Sequence, residues 1–318
     1  MYIDRAVIEI NGGCNYSCQM CPQSRPEGRG KNWLKKMSLN RFEETVDQLV
    51  NHGLRVVNLE GSGEPTLNSN LDEYVRVVKK HGAKAFMFSN GNRMHGDYMK
   101  RVVDAGADFF RFSIIGYNAD TYWAWMNSKE FTKVINNLEA MQRYVEDSDS
   151  DCVVSTYHLV MDNDNIDYEV EQYRKIVENA GVKTEIWKMH NWSGVYKPEY
   201  GREGKVKTCG RPFSPDLVIR AGGAEGKWGA VHPCCQVLGR DDDAILGHIS
   251  DNTAEEIWNG YAYELLRKQH TTGNYPDFCK GCDFLIDDPE VLVYTNHERD
   301  LYKMHGTDFD LNDYRKFK

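Results

Sequence analysis

From the N-terminus to about residue 190, short apolar runs alternate with longer stretches whose apolar residues recur every three or four positions. AVIEI (6–10), RVVNLE (55–60), KAFMFS (84–89), DFFRFSII (108–115), CVVSTYHLV (152–160) and KTEIWKM (183–189) have the length and the β-branched or aromatic content of strands. Between them, LNRFEETVDQLVNHG sets Phe42, Val46, Leu49 and Val50 on one helical face, and EFTKVINNLEAMQRYV does the same with Phe131, Val134, Leu138 and Met141. Such stripes are core. Strand and helix repeated about six times predict a parallel sheet with helical crossovers, an α/β fold. Ligands of such sheets collect beyond the carboxyl ends of the strands, so chemistry is expected in the loop that follows each run.

The alternation stops after His190. NWSGVYKPEYGREGKVKT (191–208) reads as a linker rich in Gly, Lys and Tyr, followed by two short strand candidates, DLVIRA (216–221) and WGAVHP (228–233). Thr253 and Glu256 have capping-box spacing and open one helix with Ile257, Trp258, Tyr261 and Leu265 on one side. The predicted organisation is a first domain over 1–190, a linker over 191–208, a small α+β domain over 209–285 and a tail over 286–318 without a motif.

The chain has 318 residues, 41% hydrophobic and 27% charged, as in soluble globular proteins. A net charge of -9 opposes a nucleic-acid partner, whose binding rests on neutralising phosphates. The one basic patch, Arg25, Arg29, Lys31, Lys35 and Lys36, reads as a solvated loop. No run approaches the roughly 18 apolar residues of a membrane span, and MYIDRAVIEI begins a strand without signal-peptide features. A cytoplasmic location is expected, where nine cysteines serve as metal ligands or reactive thiols rather than disulfides.

Cys14, Cys18 and Cys21 stand in GGCNYSCQMCP, directly after the first strand run. A structural zinc takes four ligands, and so does a fully ligated 4Fe-4S cube. Three thiols leave one iron open to a small molecule, whereas zinc would need a fourth ligand from elsewhere. The gaps of three and two residues, with Tyr16 and apolar Met20 between them, resemble the signature of the radical S-adenosylmethionine (radical SAM) superfamily. The resemblance implies a partial (β/α)6 TIM-like barrel and a cluster whose open iron binds S-adenosylmethionine. One electron, from a donor such as flavodoxin or ferredoxin, then cleaves SAM to methionine and a 5′-deoxyadenosyl radical that abstracts hydrogen. GSGEP (61–65) is similar to the family's glycine-rich motif for the SAM amino group, which points to Gly61, Gly63 and, as acceptor, Glu64. SNG (89–91) resembles the family's Thr-Asn-Gly turn, bringing in Ser89 and Asn90, and Ser113 falls where relatives place a polar contact to SAM. On the residues alone, GSGEP is equally a turn and Ser113 a structural hydroxyl.

Cys209, Cys234, Cys235, Cys279 and Cys282 put five thiols in the second region, one more than a fully ligated cube needs. Adjacent side chains of an extended chain face opposite ways, so Cys234 and Cys235 do not share a cluster, and Cys234 is taken as the ligand. The order Cys209, VHPCC, LGHI, AEEIWNG and CKGC resembles SPASM and Twitch domains, in the shorter Twitch form with one auxiliary 4Fe-4S cluster. That cluster implies net oxidation of the substrate radical. Zinc on the same thiolates is the alternative, and with zinc at both cysteine sets the chain would be a non-catalytic binding protein. Cys235 is then a candidate hydrogen-atom donor, while Cys152 reads as a small core residue, and His158 and His190 as packing histidines. The substrate is a small polyol or aminocyclitol, or a ribosomal peptide. Many peptide-modifying relatives carry an N-terminal leader-binding domain, and a first strand near residue 6 tilts the expectation toward the small molecule.

Overall fold

A computed structural model describes residues 1–26, 35–239, 242–286 and 291–297. Six strands run parallel, each hydrogen-bonded to the next: β1 (Arg5–Ile8), β2 (Val56–Asn58), β3 (Lys84–Ser89), β4 (Phe109–Ser113), β5 (Val153–Val160) and β6 (Lys183–Lys188). Five lie within the apolar runs, and β1 overlaps the first, starting one residue before it at Arg5. The crossovers carry α1 (Leu39–Val50), α2 (Leu71–Lys80), α3 (Gly96–Asp104), α4 (Ala119–Met126), α5 (Phe131–Asp147) and α6 (Ile166–Ala180).

Local chemistry sets these boundaries. Ser38 caps α1 by accepting from the Arg41 N–H, and the helix buries Phe42, Val46 and Leu49, with Val50 half-buried. Asn118 and Thr121 form a capping box at the start of α4, and Asn127, in the left-handed region at φ 49°, ends it. The chain then turns into α5, whose Val134, Leu138 and Met141 face the core. Burying each such side chain contributes about 1.5–3 kcal/mol.

The barrel does not close, because both outer edges of the six strands are occupied. Along β1 runs β7 (Asp216–Ile219), parallel, from Arg5↔Asp216 to Ile8↔Ile219. It continues antiparallel into β8 (Ala230–His232) and β9 (Gly247–His248). Along β6 runs β10 (Leu292–Thr295), antiparallel, giving a ten-stranded sheet in the order β10-β6-β5-β4-β3-β2-β1-β7-β8-β9. The start of the tail therefore covers a sheet edge. Leu217, Ile219, Val231, Ile257, Tyr263 and Leu266 belong to the same buried cluster as Ile8 and Val57, so the C-terminal segment extends the barrel's core.

Two expectations change. The single helix after Thr253 is two, α7 (Ala254–Trp258) and α8 (Tyr261–Thr272), because Gly260 is extended at φ -76°, ψ 164° and a Cβ there would sit 2.8 Å from the Glu256 carbonyl oxygen. Tyr261 and Leu265 are consequently exposed, and Tyr263, Leu266 and His270 are buried in their place. The stretch read as a linker is anchored: Asn191 and Ser193 are buried, and Arg202 lies 3.4 Å from Asp283. Arg29 and Lys31 fall outside the described residues, while Arg25, Lys35 and Lys36 are exposed. No described helix is long and apolar enough to cross a membrane.

Candidate metal centres and substrate cavity

The first cysteine loop follows β1 and is tied down from several sides. Asn11 Nδ2 donates to the carbonyls of Gly13 (2.7 Å) and Glu64 (2.9 Å), and the Glu64 N–H donates to Gly13 O (2.8 Å). A Cβ at Gly63 would strike the Asn11 and Gly13 carbonyls, so glycine is required for GSGEP to lie against the loop. The Gln19 N–H donates to Trp125 O (2.7 Å) and Asn127 Nδ2 to Ser17 Oγ (2.8 Å), which fixes the loop to the end of α4. Met20 is buried, and the Tyr16 hydroxyl meets those of Tyr122 and the Asn92 amide at 3.3 Å.

Burial pushes the Cys18 thiol well above its usual range, and the charges of Cys21 and Cys14 add to the shift. Burial, then the Glu64 carboxylate, raises Cys14 to about 12. The three thiols therefore share one locus and oppose one another's ionisation, which is the donor set a cationic iron centre relieves. Among the described residues, no three Cys, His, Asp or Glu side chains converge as on a single ion.

Glu64 is held from within the fold. Its Oε1 accepts from the Thr66 N–H (3.0 Å), Thr66 Oγ1 (2.6 Å) and Ser89 Oγ (2.7 Å), and its Oε2 from the Asn90 N–H (2.8 Å). The carboxylate thus joins GSGEP to the SNG turn, and its Oε2, with a single donor, keeps acceptor capacity. Asn90 in turn donates to Asn15 Oδ1 (2.9 Å) on the cysteine loop. Gly91 sits at φ 71° with a Cβ position inside the Phe112 ring, so the turn demands glycine.

The strand ends surround a cavity of about 320 Å³. Cys18, Cys21, Met20, Gly61 and Ser113 line it, and so do Cys235, Arg211, Gln236 and Phe284 from the C-terminal segment. Its carboxyl and guanidinium groups were not singled out from the sequence. Burial raises the Glu60 carboxyl to about 7, against the Asn58 hydrogen bond (3.2 Å) and the nearby Arg111, Arg220 and Arg5 charges. Arg111 reaches Glu185 across β5 at 3.3 Å. Glu9, the polar position of AVIEI, accepts from Ser62 N–H and Oγ and from the Ala221 N–H (3.1 Å), binding β1, GSGEP and β7 together. His190 also lines the cavity, held neutral by burial and the Arg202 and Arg211 charges, which lower it to about 3. His158 stacks on Tyr173 at 4.2 Å and lies 3.2 Å from Glu169, a packing role.

Cys209, Cys234, Cys279 and Cys282 line a second, smaller cavity, which shares Arg211, Gln236 and Phe284 with the first. Cys234 is fully extended (φ -171°, ψ 171°) and a 3-10 turn begins at Cys235, so the two thiols part company: Cys235 faces the large cavity, 3.4 Å from Arg211 Nη1. Burial raises Cys234 to about 12; Arg211 counters this, while Cys235 and Cys209 add to it. Cys152 is core. Cys234→Ser is expected to lower anaerobically reconstituted iron from about eight to about four atoms per chain, and Cys235→Ser to leave it unchanged, as measured by elemental analysis. Equal iron loss in both would assign the doublet differently.

The Radical SAM superfamily profile matches residues 8–177, and the SPASM iron-sulfur cluster-binding domain matches residues 227–283. An S-adenosylmethionine-dependent nucleotide dehydratase of Thermoplasmatales archaeon (strain ISO4-H5) is 35% identical over 30% of this chain and 33% of its own. Mycofactocin maturase MftC of Mycolicibacterium smegmatis is 22% identical over 57% of this chain and 43% of its own, so the chain spans less than half of either relative. Among solved structures, BtrN in complex with AdoMet and 2-DOIA superposes with a TM-score of 0.59 at 18% identity, covering 93% of this chain and 99% of that one. Streptococcus suis SuiB bound to precursor peptide SuiA superposes with a TM-score of 0.63 at 12% identity, covering 84% and 67%. With a three-thiol loop at the first strand end and the superfamily profile spanning more than half its length, the chain belongs to the radical SAM superfamily, carries a SPASM iron-sulfur domain, and binds 4Fe-4S clusters and S-adenosylmethionine.

Proposed function

We propose that the chain is an oxidoreductase that removes hydrogen from a C–H bond of a small polar molecule, a polyol or aminocyclitol. The observation that carries this reading is one cavity of about 320 Å³ that touches Cys18 and Cys21 and shares a wall with the four-thiol site. Its volume is at the lower end of the roughly 300–1,000 Å³ of small-molecule sites. The small-molecule complex of BtrN matches over 99% of its own chain, whereas a third of SuiB lies outside the match.

Cys14, Cys18 and Cys21 hold the first cluster and Cys209, Cys234, Cys279 and Cys282 the second. When bound, the first with SAM supplies a radical that takes one hydrogen atom, and the second accepts one electron. Oxidation of an alcohol carbon also releases a proton. Glu60 is placed to accept it: Oε1 is engaged by Asn58, and the carboxyl faces the cavity. Ser113 and Tyr157 line the same wall and orient polar groups of the substrate.

A carboxyl raised to about 7 is protonated below that pH and able to accept above it, so turnover should rise as pH passes through about 7. Glu60→Gln is expected to lower kcat/KM by roughly 10²–10⁴ and to flatten that rise, with iron content unchanged. A pH profile of Glu60→Gln parallel to that of the parent would remove Glu60 from the mechanism.

Cys235 supports a second reading, because it faces the cavity. Its S–H bond would break as a C–H bond forms on the substrate radical, leaving a thiyl radical for a reductant and a proton to reset. Anaerobic turnover with dithionite, SAM and deuterated candidates separates the readings. Oxidation places deuterium in 5′-deoxyadenosine and gives a product two hydrogens lighter; hydrogen return gives a product of unchanged composition that takes up solvent deuterium. SAM consumption without a two-electron-oxidised product sinks the first reading.

A further inference from the structure

His270, in the last turn of α8, is 3% exposed and lines the cavity of Cys209, Cys234, Cys279 and Cys282. The ring is held by the segment that carries Cys209. Its Nδ1 lies 3.3 Å from Oγ1 of Thr208, the residue before that cysteine, and Tyr275 packs edge-on at 5.2 Å while its hydroxyl donates to Lys207 O (2.6 Å). The other ring nitrogen, Nε2, is buried and has no hydrogen-bond partner among the described residues. A buried polar atom left so is costly, because it has given up water for no other partner.

The missing partner is sulfur. Thiolates and cluster sulfides are negative acceptors, so an N–H directed at them is favourable and a lone pair is not. The hydrogen then sits on Nε2, which requires the Thr208 hydroxyl to donate to Nδ1 at 3.3 Å in preference to the His270 carbonyl, which it also approaches at 3.2 Å. Gln236 Oε1, also orphaned at this cavity, is an acceptor and cannot serve. Arg211 Nε is a second buried donor there, but its guanidinium already donates to Cys235 and its backbone N–H to Cys209.

We propose that His270 donates a hydrogen bond from Nε2 to a sulfur of the auxiliary cluster and thereby raises its reduction potential. The reduced cluster carries one more negative charge, so the donor stabilises it more than the oxidised form. His270 acts through the cluster and is a positioning residue.

The test uses full-length protein with Cys14, Cys18 and Cys21 replaced by alanine, reconstituted with iron and sulfide under argon so that one cluster remains. Its midpoint potential is read by EPR-monitored titration, and histidine nitrogen coupling by pulsed EPR with ¹⁵N-histidine. The parent should show weak histidine nitrogen and exchangeable-proton couplings. His270→Phe should lose both and shift the midpoint to more negative potential, and His270→Gln, which keeps an N–H, should recover most of the shift. An unchanged midpoint in His270→Phe overturns the proposal. So does a parent without histidine coupling, or one with coupling large enough for a directly bound nitrogen; the parent measurement decides even if the variant fails to take up iron. No substrate enters this test, so its failure leaves the proposed oxidation standing, and failure to find an oxidised product leaves this result untouched.

Discussion

Cys18→Ala is expected to abolish formation of 5′-deoxyadenosine and to lower reconstituted iron from about eight to about four atoms per chain. The effect is large because the loop has no slack. Its backbone is tied to Glu64, Trp125 and Ser24, and the Cys18 carbonyl alone accepts from both the Cys21 N–H (3.1 Å) and Ser24 Oγ (2.5 Å). A neighbouring thiol cannot swing in without breaking those bonds. With two thiols left, the iron that should bind SAM is lost together with its cube. Iron analysis and chromatography of the SAM products check the two halves separately. Cys235→Ala, in the same cavity wall but outside both ligand sets, is the control expected to keep all its iron. A Cys18→Ala protein that still released 5′-deoxyadenosine would mean that the radical arises elsewhere.

What was legible in the sequence was local. Strands buried on both faces read as continuous apolar runs, so all six parallel strands could be placed, and three thiols within eight residues carry their meaning in their spacing. The parting of Cys234 and Cys235 was expected from strand alternation, but β8 ends at His232 and the 3-10 turn that begins at Cys235 is what separates the thiols. The groups that line the cavity were not. Glu60 follows β2 at the cavity, while Arg111 and Glu185 lie within β4 and β6 and pair across β5, so only the folded sheet brings the three charges near one another. One signal did exist: a charge inside DFFRFSII has no exposed face to occupy, so it had to point at a partner. That the Glu64 carboxylate also holds the SNG turn was hidden, because a short motif does not give the partners a carboxylate finds within the fold. The β7 strand was recognisable, but its seat beside β1, 211 positions away at Arg5↔Asp216, depends on which sheet edge is left open.

Arg111→Met should destabilise the protein by about 3–5 kcal/mol, the usual result of stripping one partner from a buried ion pair. Arg111 Nη2 lies 3.3 Å from Glu185 Oε2, with the side chains 3% and 1% exposed. The guanidinium also lies over the Phe88, Phe109 and Tyr157 rings at 4.8, 5.2 and 5.7 Å, contacts a methionine fills in part. Glu185 keeps the Trp187 Nε1–H at 2.9 Å, but a neutral donor does not replace the guanidinium charge in that setting. At about 2–4 °C per kcal/mol, the midpoint of an anaerobic melt should fall by roughly 10 °C. Adding Glu185→Leu should recover most of the loss, because the charge left behind is removed with it; no recovery would place the cost in ring packing rather than in the ion pair. The same substitution reaches the cavity. The Arg111 charge is one of the influences that hold Glu60 down, so without it the Glu60 carboxyl rises further and the climb in turnover moves to higher pH. A pH profile of Arg111→Met that stays where the parent's lies would separate Arg111 from Glu60 and leave it a purely structural cation.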